Sequence, residues 1–475
     1  MSKNLNRSTV SLKEMPVKIL QFGEGNFLRA FADWCVDIMN TKIGYNAGVA
    51  VVQPIEHGLV KMLDDQDGLY HHLIRGLANG EAYNETRLIS CIQESINPFE
   101  NAEAYFSQAA NAELKVIISN TTEAGIRFDK MDLPAEGELA ITFPGKLTQL
   151  LKKRFDHFSG SSDAGLSFIP CELIENNGTN LKQAIKQYAE LWNLGSDFVS
   201  WIDANNYFAN TLVDRIVPGY PKDEIEEIRS KIGYNDQLVV SSEVFHLWVI
   251  QGTEEIQKTF PADTAGLNVK FVNDITPYRT RKVRILNGAH TCMVPIALLA
   301  GIETVRESVE HDLIGPFILS TLDEEISPTI DLPEDELKAF SAEVIERFRN
   351  PFIRHELKSI SLNSISKFKV RVLPSLKDAY QVKAALPERL VFSLACLIKL
   401  YLSDGFDIND DESIKDYFEG AKSKALTPDL VEDILGRADF WGEELTQTPG
   451  LADRVTNFLN QLGQKSSVDI IKEIF

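Results

Sequence analysis

Short apolar runs alternate with polar loops through the first half of the chain. Val17 to Phe22 (VKILQF) is a six-residue run with β-branched members, closed by Gly23. That composition predicts a buried strand. Gly23-Glu24-Gly25-Asn26-Phe27 follows, then a helical stretch from Leu28 to about Asn40 and a second run at Gly48 to Val52. Two later runs end in polar residues: Lys115 to Ser119 before Asn120-Thr121-Thr122-Glu123, and Leu166 to Ile169 before Pro170-Cys171-Glu172. Helical stretches between the runs predict a doubly wound parallel sheet, in which ligands sit at the carboxyl ends of the strands.

The strand–glycine–helix order bears on chemistry. Glycines let the backbone approach a pyrophosphate, and a helix start offers unpaired N–H groups. The loop from Phe22 through Gly23, Gly25, Asn26 and Phe27, together with Asn120, Thr121 and Glu123, is therefore the candidate dinucleotide site. The glycine fingerprint is incomplete, because Leu28 stands at the third glycine position. At the end of the second strand, where an acid would grip a ribose hydroxyl, the chain has Gln53, with Glu56 three residues later and no Arg or Lys nearby. NAD is expected rather than NADP.

From about Asp274 the pattern changes to long amphipathic stretches broken at Pro328, Pro351, Pro374, Pro387 and Pro428. A mostly helical second half is expected, with a Rossmann-type domain over 14–273 and a helical substrate domain over 274–475. In Pro277 to His290, an α-helix turning by about 100° per residue sets Lys282, His290 and Asn287 near about 0°, 80° and 140°. Val283, Ile285 and Leu286 point elsewhere. A lysine can act as a base toward a carbinol proton if positive neighbours lower its pKa, and Arg281 and Arg284 stand beside it. An asparagine amide and an imidazole can hold the same oxygen. Lys282, Asn287 and His290 are the candidate catalytic residues.

Bulk composition narrows the class. The 475 residues exceed one ordinary core. An apolar fraction of 44% and a charged fraction of 25% describe a globular protein. The run Leu390 to Leu402 is too short to span a membrane and contains Lys399, so a buried helix is expected. The first twelve residues lack the apolar core of a signal peptide, and the five cysteines form no CxxC pair; a cytoplasmic location is expected. No histidine motif points to a metal, and none is expected. The net charge of −21 disfavours nucleic acid and anionic membranes. A monomer or small homo-oligomer is expected.

Against that charge, Arg347 to Arg371 holds seven cations and one acid, and Ile275 to His290 holds four cations and no acid. Two basic islands suit a substrate carrying a carboxylate. His355, Lys367 and Arg371 are the candidate contacts.

Lys282 to His290 (KVRILNGAH) resembles the K-x4-N-x2-H signature of the polyol-specific long-chain dehydrogenases, the mannitol dehydrogenase family. Further segments resemble the family in order: QFGEGNFLRAF from Gln21, SNTTEAGI from Ser119, PCELIENNG from Pro170, TLVDRIVPGYP from Thr211 and RFRNPFIRHELKSISLNSISKFKVRVLP from Arg347. The resemblance covers nearly the whole chain, and its wording is most similar to the tagaturonate reductase branch. It implies a Rossmann-type domain, a helical domain, a cleft between them, and metal-independent reduction of D-tagaturonate to D-altronate with NADH. Lys282 is then the acid/base, and Asn287 and His290 contact the reacting oxygen. Fructuronate reduction, oxidation of a neutral polyol, and a non-catalytic NAD-sensing role are the rivals. One departure stands out: many relatives have Cys-Asp-Asn where this chain has Cys171-Glu172-Leu173, and that asparagine helps to bind the oxyanion. Either Asn287 carries that task alone or Asn177 assists it, and Asp214, beside Arg215, is expected to line or brace the cleft.

Overall fold

The computed structural model describes residues 3–10, 12–78, 80–122, 124–135 and 137–474. Contacts divide the chain into two units, Met1–Arg75 with Ala82–Ile275 and Gly76–Glu81 with Thr276–Phe475. The first is α/β and the second is nearly all helix.

The N-terminal unit is built on six parallel strands: β1 (Val17–Phe22), β2 (Gly48–Val52), β3 (Ile92–Ile96), β4 (Val116–Ser119), β5 (Ser167–Pro170) and β6 (Tyr207–Phe208). Their order across the sheet is β3-β2-β1-β4-β5-β6. The winding reverses between β1 and β4, the switch point where a doubly wound sheet opens a ligand crevice. All of β2, β4 and β5 is buried. Alternate side chains feed two cores: Ile19, Val49, Val51, Val116 and Ile118 on one face, Leu20, Phe22, Ala50, Val52 and Ile117 on the other. Such two-faced burial explains why these strands are continuous apolar runs rather than alternating ones. The stretch after Gly25 forms two helices rather than one, Asn26–Ala30 and Ala32–Ile43, separated at Phe31.

In the C-terminal unit, Thr276–Arg281, Lys282–Asn287 and Gly288–Leu299 follow one another as helix. Gly288–Leu299 is apolar on every side, as suits a central helix, and packs against Glu388–Tyr401 and Ser364–Arg371. Pro374 and Pro428 lie in the first turns of helices, and Pro387 immediately precedes one. Proline is tolerated there because those N–H groups have no intrahelical partner. Among the described residues no helix is long and apolar enough to cross a membrane.

Candidate functional site

At the switch point, β1 ends in Gly23, whose N–H donates to the Val52 carbonyl at 3.0 Å and whose φ is +122°. A Cβ there would lie 3.1 Å from both the Asn120 carbonyl oxygen and Leu28 Cδ1. Leu28 thus makes the close helix–strand packing usually left to a third glycine. Gly25 is different: a Cβ on it would meet nothing within 4 Å, so the front of the loop is open. Asn26 is exposed, and Phe27 stacks on Phe31 at 5.0 Å. Phe22 is a correction to the expected site. Its ring is fully buried against Phe143, and its carbonyl already accepts from the Asn120 N–H.

The loop after β4 is braced from below by Glu172, which is 2% exposed. One carboxylate oxygen accepts from the Thr121 N–H at 2.9 Å and its hydroxyl at 3.0 Å; the other accepts from the Ser119 hydroxyl at 3.0 Å. Burial raises the Glu172 pKa above the usual carboxylate range, and these bonds pull it back down. Thr122 has φ +97°, an outlier for a β-branched residue and a strain that clusters at functional loops. Asn120 donates to the Cys171 carbonyl at 3.3 Å. Glu123 lies outside the described residues.

Of the two readings of the oxyanion role, the hydrogen bonds of Asn177 favour the one that leaves it to Asn287. Asn177 is 0% exposed; its amide N–H groups face the carbonyls of Pro170, Glu172 and Thr211, and its oxygen accepts from Gly178 and Thr211. It ties β5, its own helix and the strand Asn210–Asp214 together. Leu173, by contrast, is 60% exposed. Asp214 is buried at the end of its strand, and the neighbouring Arg215 braces the Ala30 and Glu243 carbonyls from over the Trp34 ring. Gln53 is turned inward, donating to the carbonyls of Ile55 and Glu56 at 2.9 Å each. Glu56 is left exposed on a pocket of about 530 Å³ at the carboxyl ends of β2 and β3, with His57, Asp64 and Asn97.

In the C-terminal unit the Lys–Asn–His segment is not a plain α-helix. Lys282–Asn287 is a π-helical turn, and the Gly288 N–H reaches back to Val283, five residues away. One π turn spans five residues, so Lys282 and Asn287 stack on one face instead of standing about 140° apart. His290 follows one α turn beyond Asn287. Single π turns inserted in α-helices occur frequently at functional sites. Gly288 lies against the Arg371 carbonyl, where a Cβ would make an ordinary contact at 3.4 Å. The expected pressure from Arg281 and Arg284 is corrected. Arg281 pairs with Glu336 at 2.5 Å, and Arg284 with Asp378 at 2.6 Å, so each carries its own counterion.

His290 is 9% exposed and its Nε2 has no partner among the described residues. Its ring stacks on Phe348 at 4.1 Å and meets the His355 ring edge-on at 5.1 Å. Burial drives its pKa well below the ordinary value, and the charges of His355, Arg347, Arg371 and Lys367 push the same way. Both influences favour the uncharged imidazole. His355 is fixed through its backbone: its carbonyl accepts from Val305 at 3.0 Å, and Leu357 donates to Glu303 at 2.9 Å, around a Thr304–Glu356 bridge. Burial lowers the pKa of His355 and of Arg371, and burial with Arg371 lowers that of Lys367.

The second basic island therefore divides. Arg349, Arg354 and Lys358 are exposed, and Arg354 pairs with Glu356 and Glu303. Arg347, Lys367 and Arg371 lie near enough to act on His290 electrostatically, with the Lys367 ammonium donating to the Ile360 carbonyl at 2.8 Å. Phe348 and Arg347 were not singled out from the sequence. Both open the segment RFRNP that resembles the family, but nothing in the sequence marks Phe348 as the stacking partner of an imidazole.

A family model described as the mannitol dehydrogenase Rossmann domain matches residues 17–263, and one described as the mannitol dehydrogenase C-terminal domain matches residues 274–463. The altronate oxidoreductase of Bacteroides thetaiotaomicron is 44% identical over 99% of this chain and 100% of that protein. That of Bacillus subtilis is 47% identical over 94% of this chain and 93% of its own length. Among solved structures, a D-sorbitol dehydrogenase aligns with a TM-score of 0.83 at 20% identity, covering 98% of this chain and 100% of that one. A Pseudomonas fluorescens mannitol 2-dehydrogenase ternary complex with NAD and D-mannitol aligns with a TM-score of 0.68 at 20% identity, covering 99% of each chain.

Proposed function

This chain belongs to the mannitol dehydrogenase family and is an NAD-dependent oxidoreductase acting on a CH–OH group; we propose that it interconverts D-tagaturonate and D-altronate. The carrying observation is that three cations, Arg347, Lys367 and Arg371, act electrostatically on a buried imidazole whose Nε2 has no partner among the described residues, beside the Lys–Asn turn. A neutral polyol has no charge to set against them; a sugar acid has. The names of the altronate oxidoreductases that match over nearly the whole chain favour the altronate pair over the mannonate pair.

The N-terminal loop suits a dinucleotide. Gly25 leaves room for a pyrophosphate, Gly23 holds the turn against Asn120, and Glu56 stands where a ribose diol would be read. The bound cofactor supplies the hydride. The Lys282 ammonium gives a proton to the substrate oxygen during reduction and takes it back during oxidation. The Asn287 amide donates to the same oxygen as its charge develops. His290, being neutral, presents Nε2 to a substrate hydroxyl. Arg371, Lys367 and His355 hold the carboxylate.

Loss of NADH absorbance tests the reading with D-tagaturonate, D-fructuronate and D-fructose as separate substrates. Fastest turnover is expected with tagaturonate. Faster turnover with fructuronate would reassign the substrate, and none with any of the three would favour the NAD-sensing role.

A further inference from the structure

Beneath the dinucleotide loop lies a polar cluster that the proposed reaction does not use. Gln21 on β1, Asp33 in Ala32–Ile43 and Tyr70 at the start of the strand Tyr70–Ala78 are all 0% exposed. The two N–H groups of the Gln21 amide point to the Gly23 carbonyl at 3.1 Å and to Asp33 Oδ2 at 3.4 Å. The Tyr70 hydroxyl lies 3.1 Å from the same Oδ2 and 2.8 Å from the Arg29 carbonyl. Two buried atoms then have no partner among the described residues: Gln21 Oε1 and Asp33 Oδ1. If Asp33 is ionised both are acceptors, and neither can satisfy the other. Burying such a pair is costly.

A single proton removes the conflict. An amide beside a carboxylic acid can close a ring of two hydrogen bonds, N–H to one carboxyl oxygen and O–H to the amide carbonyl. The first bond is already in place. We propose that Asp33 is protonated at neutral pH, donates from Oδ1 to Gln21 Oε1, and thereby acts as a positioning residue for the loop. The second N–H of the locked amide holds the Gly23 carbonyl.

The surroundings agree. Burial is the largest influence on the Asp33 carboxyl and carries its pKa to about 7, with Asp37 adding to the rise. The bonds from Gln21 and Tyr70 and the charge of Arg29 oppose it. Arg29 is no direct partner, because its guanidinium is bonded to the Glu24 and Leu238 carbonyls and to Asn26. Asp37 is paired with Arg87 at 2.7 Å. Two thiols complete the shell, Cys35 on the same helix and Cys91, which donates to the Asp33 backbone carbonyl. Losing the proton sets a charged oxygen against the Gln21 carbonyl, turns the amide and releases Gly23.

The inference rests on the reading of the Gly23 loop as the dinucleotide site. NADH binding to the full-length protein, followed by fluorescence from about pH 6 to about pH 8.5, tests it. The wild-type Kd is expected to rise by up to about tenfold across that range. Asp33→Asn puts a permanent N–H where the acid has its O–H, so it keeps the low Kd at every pH, while Asp33→Ala binds weakly throughout. A flat wild-type profile, or Asp33→Asn as weak as Asp33→Ala, overturns the proposal. Should the wild type bind no NADH at any pH, the dinucleotide reading fails instead, and thermal unfolding still decides about the proton. Asp33→Asn is expected to raise Tm above wild type at about pH 8.5 but not at about pH 5. Equal Tm values at both overturn it.

Discussion

The two candidate sites are built on opposite plans. In the N-terminal unit the dinucleotide loop is a backbone device: a positive φ at Gly23, an open Gly25, and buried polar side chains that brace rather than face a ligand. Asn177, Glu172 and Gln53 all have their hydrogen bonds taken up by the protein itself. In the C-terminal unit the side chains make the site. A π turn brings Lys282 and Asn287 toward one face, and His290 Nε2 has no partner among the described residues. The braces of the first unit satisfy one another and fix shape; His290 Nε2 in the second is left for a substrate. Substitutions should therefore lower stability in the first unit and chemistry in the second.

The largest expected effect is in the second unit. Lys282→Ala should lower kcat by about 10²–10⁴ while NADH binding is unchanged, measured by steady-state turnover beside fluorescence titration. Asn287→Ala, which removes one donor to the developing charge, should cost about 10²–10³ in kcat. Equal losses in NADH affinity would show that the turn serves the fold rather than the chemistry. Arg371→Ala and Lys367→Ala should each raise KM for the sugar acid about ten- to hundredfold, the range of a charge-assisted hydrogen bond, with fructose turnover little altered. Asn177→Ala should do the reverse. It strands buried carbonyls and lowers stability by about 2–4 kcal/mol, read by denaturant unfolding, with kcat nearly that of wild type.

The smallest effect is a pH dependence. The folded pKa of His290 lies below its unfolded value of about 6.5, so its contribution to stability is present above that pH. It is lost as the pH falls toward the folded value. Tm of the wild type should therefore drop more steeply below about pH 6.5 than that of His290→Asn. Parallel curves would mean that His290 takes up its proton as readily in the folded protein as in the unfolded chain.

Much of this division was legible in the sequence. Buried parallel strands are continuous apolar runs, so VKILQF and GVAVV predict the sheet, and the glycines after Phe22 mark its switch point. The spacing from Lys282 to His290 marks the second unit. The π turn was not legible, because no residue in KVRILNG differs from what an α-helix accepts. Nor could the sequence show that Glu336 and Asp378, 55 and 94 residues away, neutralise Arg281 and Arg284. The two readings of Asn177 stayed open for a related reason. An asparagine before glycine beside a strand end suits a ligand contact and an internal brace equally, and only its complete burial separates them.

A crystal structure of the protein with NADH and D-altronate bound is the most direct test. The account predicts the reacting oxygen within hydrogen-bond distance of Lys282 Nζ, the Asn287 amide and His290 Nε2, with the carboxylate against Arg371 or Lys367. A sugar acid bound away from residues 282, 287 and 290 would contradict it.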